Sequence, residues 1–205
     1  MTNLSMRITA VALGLLAGVA LVGGAQAADS VRLRGTITSF SGSTLEVKTR
    51  EGEDKTVTLA DGWKVSSVAA ADPTKIKAGD FVGAASLPNA DGTDGALEVL
   101  VFPAGMGGGA GVSFPWDLKP GSTMTNAPVA DAVASVNGPT ITLNYEGGSK
   151  TISIPEGTPV VTFAPATPAD LVAGATVFVP ADVAADGTIS TKNVVVGTNG
   201  VVPPM

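Results

Sequence analysis

One pattern is written twice in this chain. Laying residues 35–47 over residues 131–143, an offset of 96, sets Ile37 on Val133, Ser39 on Ser135, Gly42 on Gly138, Thr44 on Thr140 and Leu45 on Ile141. One residue is then lost in a hairpin and the offset becomes 95. Val57 meets Ile152, Gly62 meets Gly157, Pro73 meets Pro168, and Asp91-Gly92-Thr93 meets Asp186-Gly187-Thr188. A register kept with a single slip implies an internal duplication, and a duplicated chain must build its core from two like units.

Each unit reads as β. Val31, Leu33 and Ile37 share one parity while Arg32, Arg34 and Thr36 take the other. Leu45 and Val47 alternate with Glu46 and Lys48 in the same way. Period two marks strands with one buried face. Gly42-Ser43, the acidic cluster at 51–54 and Asn89-Ala90-Asp91-Gly92 are turns. The stretch 72–79 holds a single helical turn, opened by Pro73 and stopped by Gly79. Short antiparallel strands with one helical turn before the last pair suit a small barrel. The expected fold is therefore all-β: two tandem small OB-like antiparallel barrels from an internal duplication, preceded by a signal peptide. The boundaries are a signal peptide at 1–27, a first β-barrel unit at 31–104, a Gly/Pro-rich bridge at 105–126, a second β-barrel unit at 127–199 and a tail at 200–205.

The amino terminus carries the export reading. Arg7 precedes an uncharged apolar run, and Ala25-Gln26-Ala27 supplies the small-x-small pattern of a cleavage site. The run is short for a membrane span, which needs roughly 20 residues. Cleavage before Ala28 is expected, and Met6 is an alternative start to Met1. Removing the segment takes away Arg7 and leaves the chain more acidic than its net −6. The chain has no cysteine, so an oxidising compartment is met without disulfides. A periplasmic or secreted address follows, with no transmembrane segment in the mature chain.

Several chemistries can be set aside. The chain has no histidine and no cysteine, which removes Ser-His-Asp and Cys-His catalysis and His- or Cys-based metal sites. Gly105-Met106-Gly107-Gly108-Gly109-Ala110 fits the letters of a dinucleotide loop, but Pro115 and Pro120 follow where a helix would have to begin. Asp91 to Asp94 with Glu98 could offer oxygens to calcium, yet the matching Asp186-Gly187-Thr188-Ile189 lacks the second carboxylate, so a hairpin is the better reading. Glu51, Glu53 and Asp54 read as an exposed turn rather than an acid–base pair. Arg32, Arg34, Lys48 and Arg50 read as a solvated face with cross-strand ion pairs, and the acidic balance argues against nucleic acid. No cofactor and no metal site is expected.

The bridge has two parts. Residues 105–111 are nearly all glycine and alanine, a flexible linker. The part after it places Phe114, Trp116 and Leu118 around Pro115 and Pro120, too apolar and too stiff for a tether. Trp116 either staples the bridge onto one barrel or lines a groove between the barrels. Phe114, Trp116, Asp117 and Leu118 are the candidate interdomain groove or partner surface.

The opening Gly-Thr-Ile-Thr strand, the late Ala-Gly-Asp-Phe-Val and the Asp-Gly-Thr before a closing valine strand resemble a family of exported bacterial β-domains of unknown function. The bridge Pro-Trp-Asp-Leu-Lys-Pro-Gly-Ser-Thr-Met-Thr-Asn-Ala resembles its two-copy subgroup, here with the segment before Trp116 reduced to a glycine run. Members of that subgroup are sometimes labelled metal transporter permeases. A permease needs several spanning helices, and no stretch after the amino-terminal one is apolar and long enough. The resemblance supplies no catalytic residues. The expected function is an exported non-enzymatic binding or structural module of the cell envelope, its partner an unidentified envelope component or small ligand. The alternative is a periplasmic accessory protein binding a divalent metal or another small ligand at the interdomain groove.

Overall fold

A computed structural model describes residues 29–135 and 138–204. The segment expected to be a signal peptide lies outside the described residues. The described residues are all-β, with twelve strands and two single 3-10 turns. The strands are β1 (Asp29–Ser41), β2 (Thr44–Thr49), β3 (Asp54–Ala70), β4 (Phe81–Pro88), β5 (Asp94–Val101) and β6 (Val112–Pro115). There follow β7 (Thr123–Val133), β8 (Thr140–Tyr145), β9 (Gly148–Ser153), β10 (Val160–Pro165), β11 (Thr176–Val183) and β12 (Ile189–Gly197). The turns are Pro73–Lys75 and Pro168–Asp170, each opened by proline as the sequence implies. The Asp72 carboxylate caps the first by accepting from the Thr74 N–H at 2.9 Å.

Five strands close a barrel in the order β12–β11–β1–β2–β3, with β3 returning to β12 in parallel. Its interior holds one parity of each strand, with Ile37, Leu45, Val57, Val179 and Val196 all buried. Gly35 sits where β1 crosses β2: a Cβ there would collide with the Lys48 carbonyl, so the close crossing requires glycine. The remaining strands run on through β10 as β5–β4–β7–β8–β9, and two residue pairs between β9 and β5 bring this path back on itself. Val82, Val99, Ile141, Leu143 and Ile152 fill that second interior.

The strands do not partner as the tandem arrangement expects. Residues 31–104 supply β1, β2 and β3 to the closed barrel but β4 and β5 to the other ring, where β4 pairs with β7. Residues 127–199 supply β7, β8 and β9 to that ring but β11 and β12 to the barrel, where β11 pairs with β1. Neither stretch closes a barrel from its own strands. The strand shared by the two rings is β3, which runs unbroken from Asp54 to Ala70. Its 17 residues carry the chain on the order of 50 Å. Its first half pairs with β2, and its second half with β10 of the other ring.

A third apolar cluster fills the seam between the rings. It consists of Val68, Leu100, Val161, Phe178 and Val195, side chains on the outward parity of the strands that line the two cores.

The bridge also departs from expectation. Val112–Pro115 is strand β6, paired with β7, and β7 itself begins at Thr123. The loop 116–122 is the tip of this hairpin. Trp116 N–H donates to the Ser122 carbonyl at 2.8 Å, and the buried Ser122 hydroxyl donates to the Trp116 and Lys119 carbonyls. The glycine run is seated as well as permissive. Gly107 lies against the Phe81 ring, and Gly111 lies against Ala127 with φ of 80°. In the tail, Pro203 is buried and Val201 packs against the seam cluster, while Val202 is exposed.

Candidate functional site

Four aromatic rings and one carboxyl group meet in the seam. β5 places Glu98 and Leu100 on its seam-facing parity, with Phe102 just past its end, because Val99 and Val101 turn into the second core. β10 contributes Phe163 and β11 contributes Phe178 by the same alternation. The β6–β7 hairpin folds Trp116 over them. The result is a cavity of about 150 Å³ lined by these side chains with Gly83, Met124, Asn126 and Pro204. Gly83 makes the room: a Cβ there would stand 2.5 Å from the Asn126 Oδ1. Phe102 and Phe163 pack edge to face with centroids 5.8 Å apart, which fixes one wall.

Polar groups in this cavity are incompletely paired. Glu98 is 2% exposed, and its Oε1 has no hydrogen-bond partner. The Trp116 Nε1 is buried and also without a partner. The indole N–H lies close enough to favour the charged carboxyl, although neither atom completes a bond. Burial pushes the Glu98 carboxyl up to about 7, against the opposing pull of the Arg34 charge. An unpaired buried polar atom costs about 1–3 kcal/mol, so two in one cavity call for a partner.

Trp116 is held from outside by arginines. The Arg32 guanidinium stacks 4.2 Å from the centre of the indole ring. Arg34, buried, makes a two-pronged pair with Asp117, Nη2 to Oδ1 at 2.8 Å and Nη1 to Oδ2 at 3.1 Å. Arg34 also stands 5.2 Å from the Phe178 ring. Burial pushes the Asp117 carboxyl up, but the hydrogen bonds and charge of Arg34, with Arg32, hold it below the usual carboxylate range.

Of the four residues singled out from the sequence, Trp116 lines the cavity. Phe114 packs edge to face on Trp116 at 5.9 Å, and Asp117 anchors the loop to β1. Leu118 lines a separate surface hollow beside Arg34 and Val202. The cationic stripe divides. Lys48 pairs across strands with Asp54 as expected and Arg50 pairs with its sequence neighbour Glu51, whereas Arg32 and Arg34 turn onto the bridge. Both stand over the Trp116 ring, far away in sequence. In the hairpin read as a turn, Asp91 accepts from the Thr93 N–H and hydroxyl, and Asp94 pairs with Lys150 at 3.0 Å inside the ring. Among the described residues no group of three or more Asp or Glu side chains is placed to hold a metal ion.

Sequence reasoning missed Glu98, Phe102, Phe163 and Phe178 as site residues. A signal for Glu98 was present: it is the one charge in the otherwise apolar run at 96–102. A strand apolar on both faces is buried on both, so its single acid has to be buried too.

Fold and site together define an all-β protein with a closed five-stranded barrel, additional strands, and an aromatic, acid-bearing cavity at the seam. In comparisons with known proteins, no family model, no curated protein and no solved structure matches this chain. Among the described residues no helix is long and apolar enough to cross a membrane.

Proposed function

We propose that this chain is an exported, non-enzymatic binding module of the bacterial cell envelope, and that it takes up a small ligand in the cavity beneath Trp116. The observation that carries the reading is the cavity itself: a partly open aromatic space lined by Glu98 and Trp116, whose buried Oε1 and Nε1 atoms complete no hydrogen bond. The export address rests on Arg7, the apolar run and the Ala25-Gln26-Ala27 pattern. Kinship with the exported two-copy β-domain family rests on the repeat and bridge motifs.

The finer architecture is part of the same proposal: two OB-like units from a duplication, each lending its last two strands to the other's barrel. Its support is a register. Val68 pairs with Phe163, the residue 95 positions later, at the centre of the antiparallel β3–β10 contact. Two equivalent residues face each other only where a two-fold axis passes between two like units.

Native mass spectrometry of protein prepared from the envelope fraction tests the binding reading. The expected result is a bound species with a mass of roughly six to ten heavy atoms, lost from a variant in which Gly83→Phe fills the cavity. Protein that carries nothing, and whose Trp116 emission responds to no member of a small-fragment library, would leave the module purely structural. Amino-terminal sequencing of the same material should find Ala28.

A further inference from the structure

We propose that the cavity is a site for a small organic ammonium ion. This rests on the reading of the cavity as a ligand site and adds the class of ligand. The walls are four aromatic rings, Phe102, Trp116, Phe163 and Phe178. Rings attract cations through their negative faces, and the attraction grows when water is excluded. The indole already displays this affinity, since Arg32 stacks on it at 4.2 Å. A cation held among rings still needs a counter-charge, and Glu98 supplies one from within the cavity. Its Oε1 completes no hydrogen bond in the protein, while the Arg34 guanidinium, itself held by both oxygens of Asp117, and the Trp116 indole N–H favour its ionised form. A cavity of about 150 Å³ holds a molecule the size of benzene. That admits a primary or methylated ammonium with a short tail and excludes polyamines.

The two halves of the chain differ at this cavity. The residues 95 positions after Gly83, Glu98 and Phe102 are Phe178, Asn193 and Gly197. The space, the acid and one ring therefore occur in one half alone, while Phe178, where the other half has Gly83, supplies a wall. A feature that breaks the repeat needs a cause outside the shared fold, and a bound ligand is such a cause.

Binding should respond to pH. Glu98 must be ionised to answer a cation, and burial holds its carboxyl at about 7. The charges facing it are Arg34 on β1, Arg50 just beyond β2 and Asp117 in the bridge, of which the arginines favour ionisation and Asp117 opposes it. Affinity for a cation therefore rises from slightly acid to slightly alkaline pH and then levels off.

The test is calorimetric titration of the mature full-length protein with choline and with its neutral carbon isostere dimethylbutanol, at about pH 6 and about pH 8. Choline is expected to bind about tenfold or more tightly than the isostere at the higher pH, with a smaller advantage at the lower. Glu98→Gln should abolish the advantage and leave binding of the isostere in place. Equal binding of the two probes, or a preference that survives Glu98→Gln, would overturn the ammonium assignment while the ligand reading stands. Binding of neither probe by the wild-type protein would also overturn the ammonium assignment, and the ligand reading would then be decided by the mass-spectrometric test. Should the variant not fold, the pH dependence of the wild-type preference decides alone, because a preference unchanged across the titration of Glu98 is incompatible with its role.

Discussion

At Glu98 a single buried carboxyl links stability to pH. Its ordinary value is 4.5, and burial in the seam raises it to about 7. The folded state thus holds the proton more tightly than the unfolded chain. This contribution to stability is full below about 4.5, declines as pH rises, and is gone above about 7. Glu98→Gln keeps the shape and removes the charge. The variant should be more stable than the parent at pH 8 by on the order of 2–3 kcal/mol, with little difference at pH 4. Urea unfolding at both values reads this, and parallel shifts at the two would show that charge is not the cause. Asp117 behaves in the opposite sense, its depressed carboxyl stabilising the fold until the pH falls through its value. Asp117→Ala leaves the buried Arg34 without its fork and Trp116 without its anchor. Because Asp117 is half-exposed, a cost of about 1–2 kcal/mol is expected rather than that of a fully buried pair. In a Trp63→Phe background the emission of Trp116, blue-shifted in the parent, should move to the red.

The β6–β7 hairpin is the element that turns a seam into a site. Without it the rings of Phe102, Phe163 and Phe178 would face solvent. Two glycines just before it separate a seated strap from a loose tether. At Gly111 the backbone is left-handed, and a Cβ would stand 2.7 Å from that of Ala127 and 2.8 Å from the Asn144 carbonyl. Gly111→Ala should cost about 2–4 kcal/mol from strain and collision together. At Gly108 a Cβ meets nothing, so Gly108→Ala should fall within about 0.5 kcal/mol of the parent. Thermal unfolding of the two variants gives the comparison, and equal effects would mean that 105–111 is the loose linker its composition suggests. That composition could not distinguish them. Each glycine permits the same freedom, and only the neighbour across the gap makes one of them obligatory.

For the whole molecule the exchange of β4, β5, β11 and β12 sets the consequence of breaking the chain. A protease site placed at 108–109 would, in a tandem fold, release two independent barrels. Here each product would carry strands that complete the other's ring. The cut protein should therefore elute from size exclusion as one species and separate only in denaturant. The isolated half 29–108 should lack cooperative unfolding as a monomer. Two folded monomers after cleavage would rule the strand exchange out.

The sequence by itself determined the local plan. The parity of Val31, Leu33 and Ile37, the turns at Gly42 and Gly92, and the proline-opened turns at Pro73 and Pro168 all stand where the pattern puts them. The reason is that alternation and turn chemistry act over a few residues and need no knowledge of the rest of the chain. Pairing was another matter. Parity states which face of a strand is buried, never against which partner. That β3 reaches across the seam to pair with β10 shows only in three dimensions. The same holds for the site. Trp116 could be recognised as a residue that needed burial, but Arg32, Glu98 and Phe178 came to it from three distant strands, and only the packing of those strands brought them within reach.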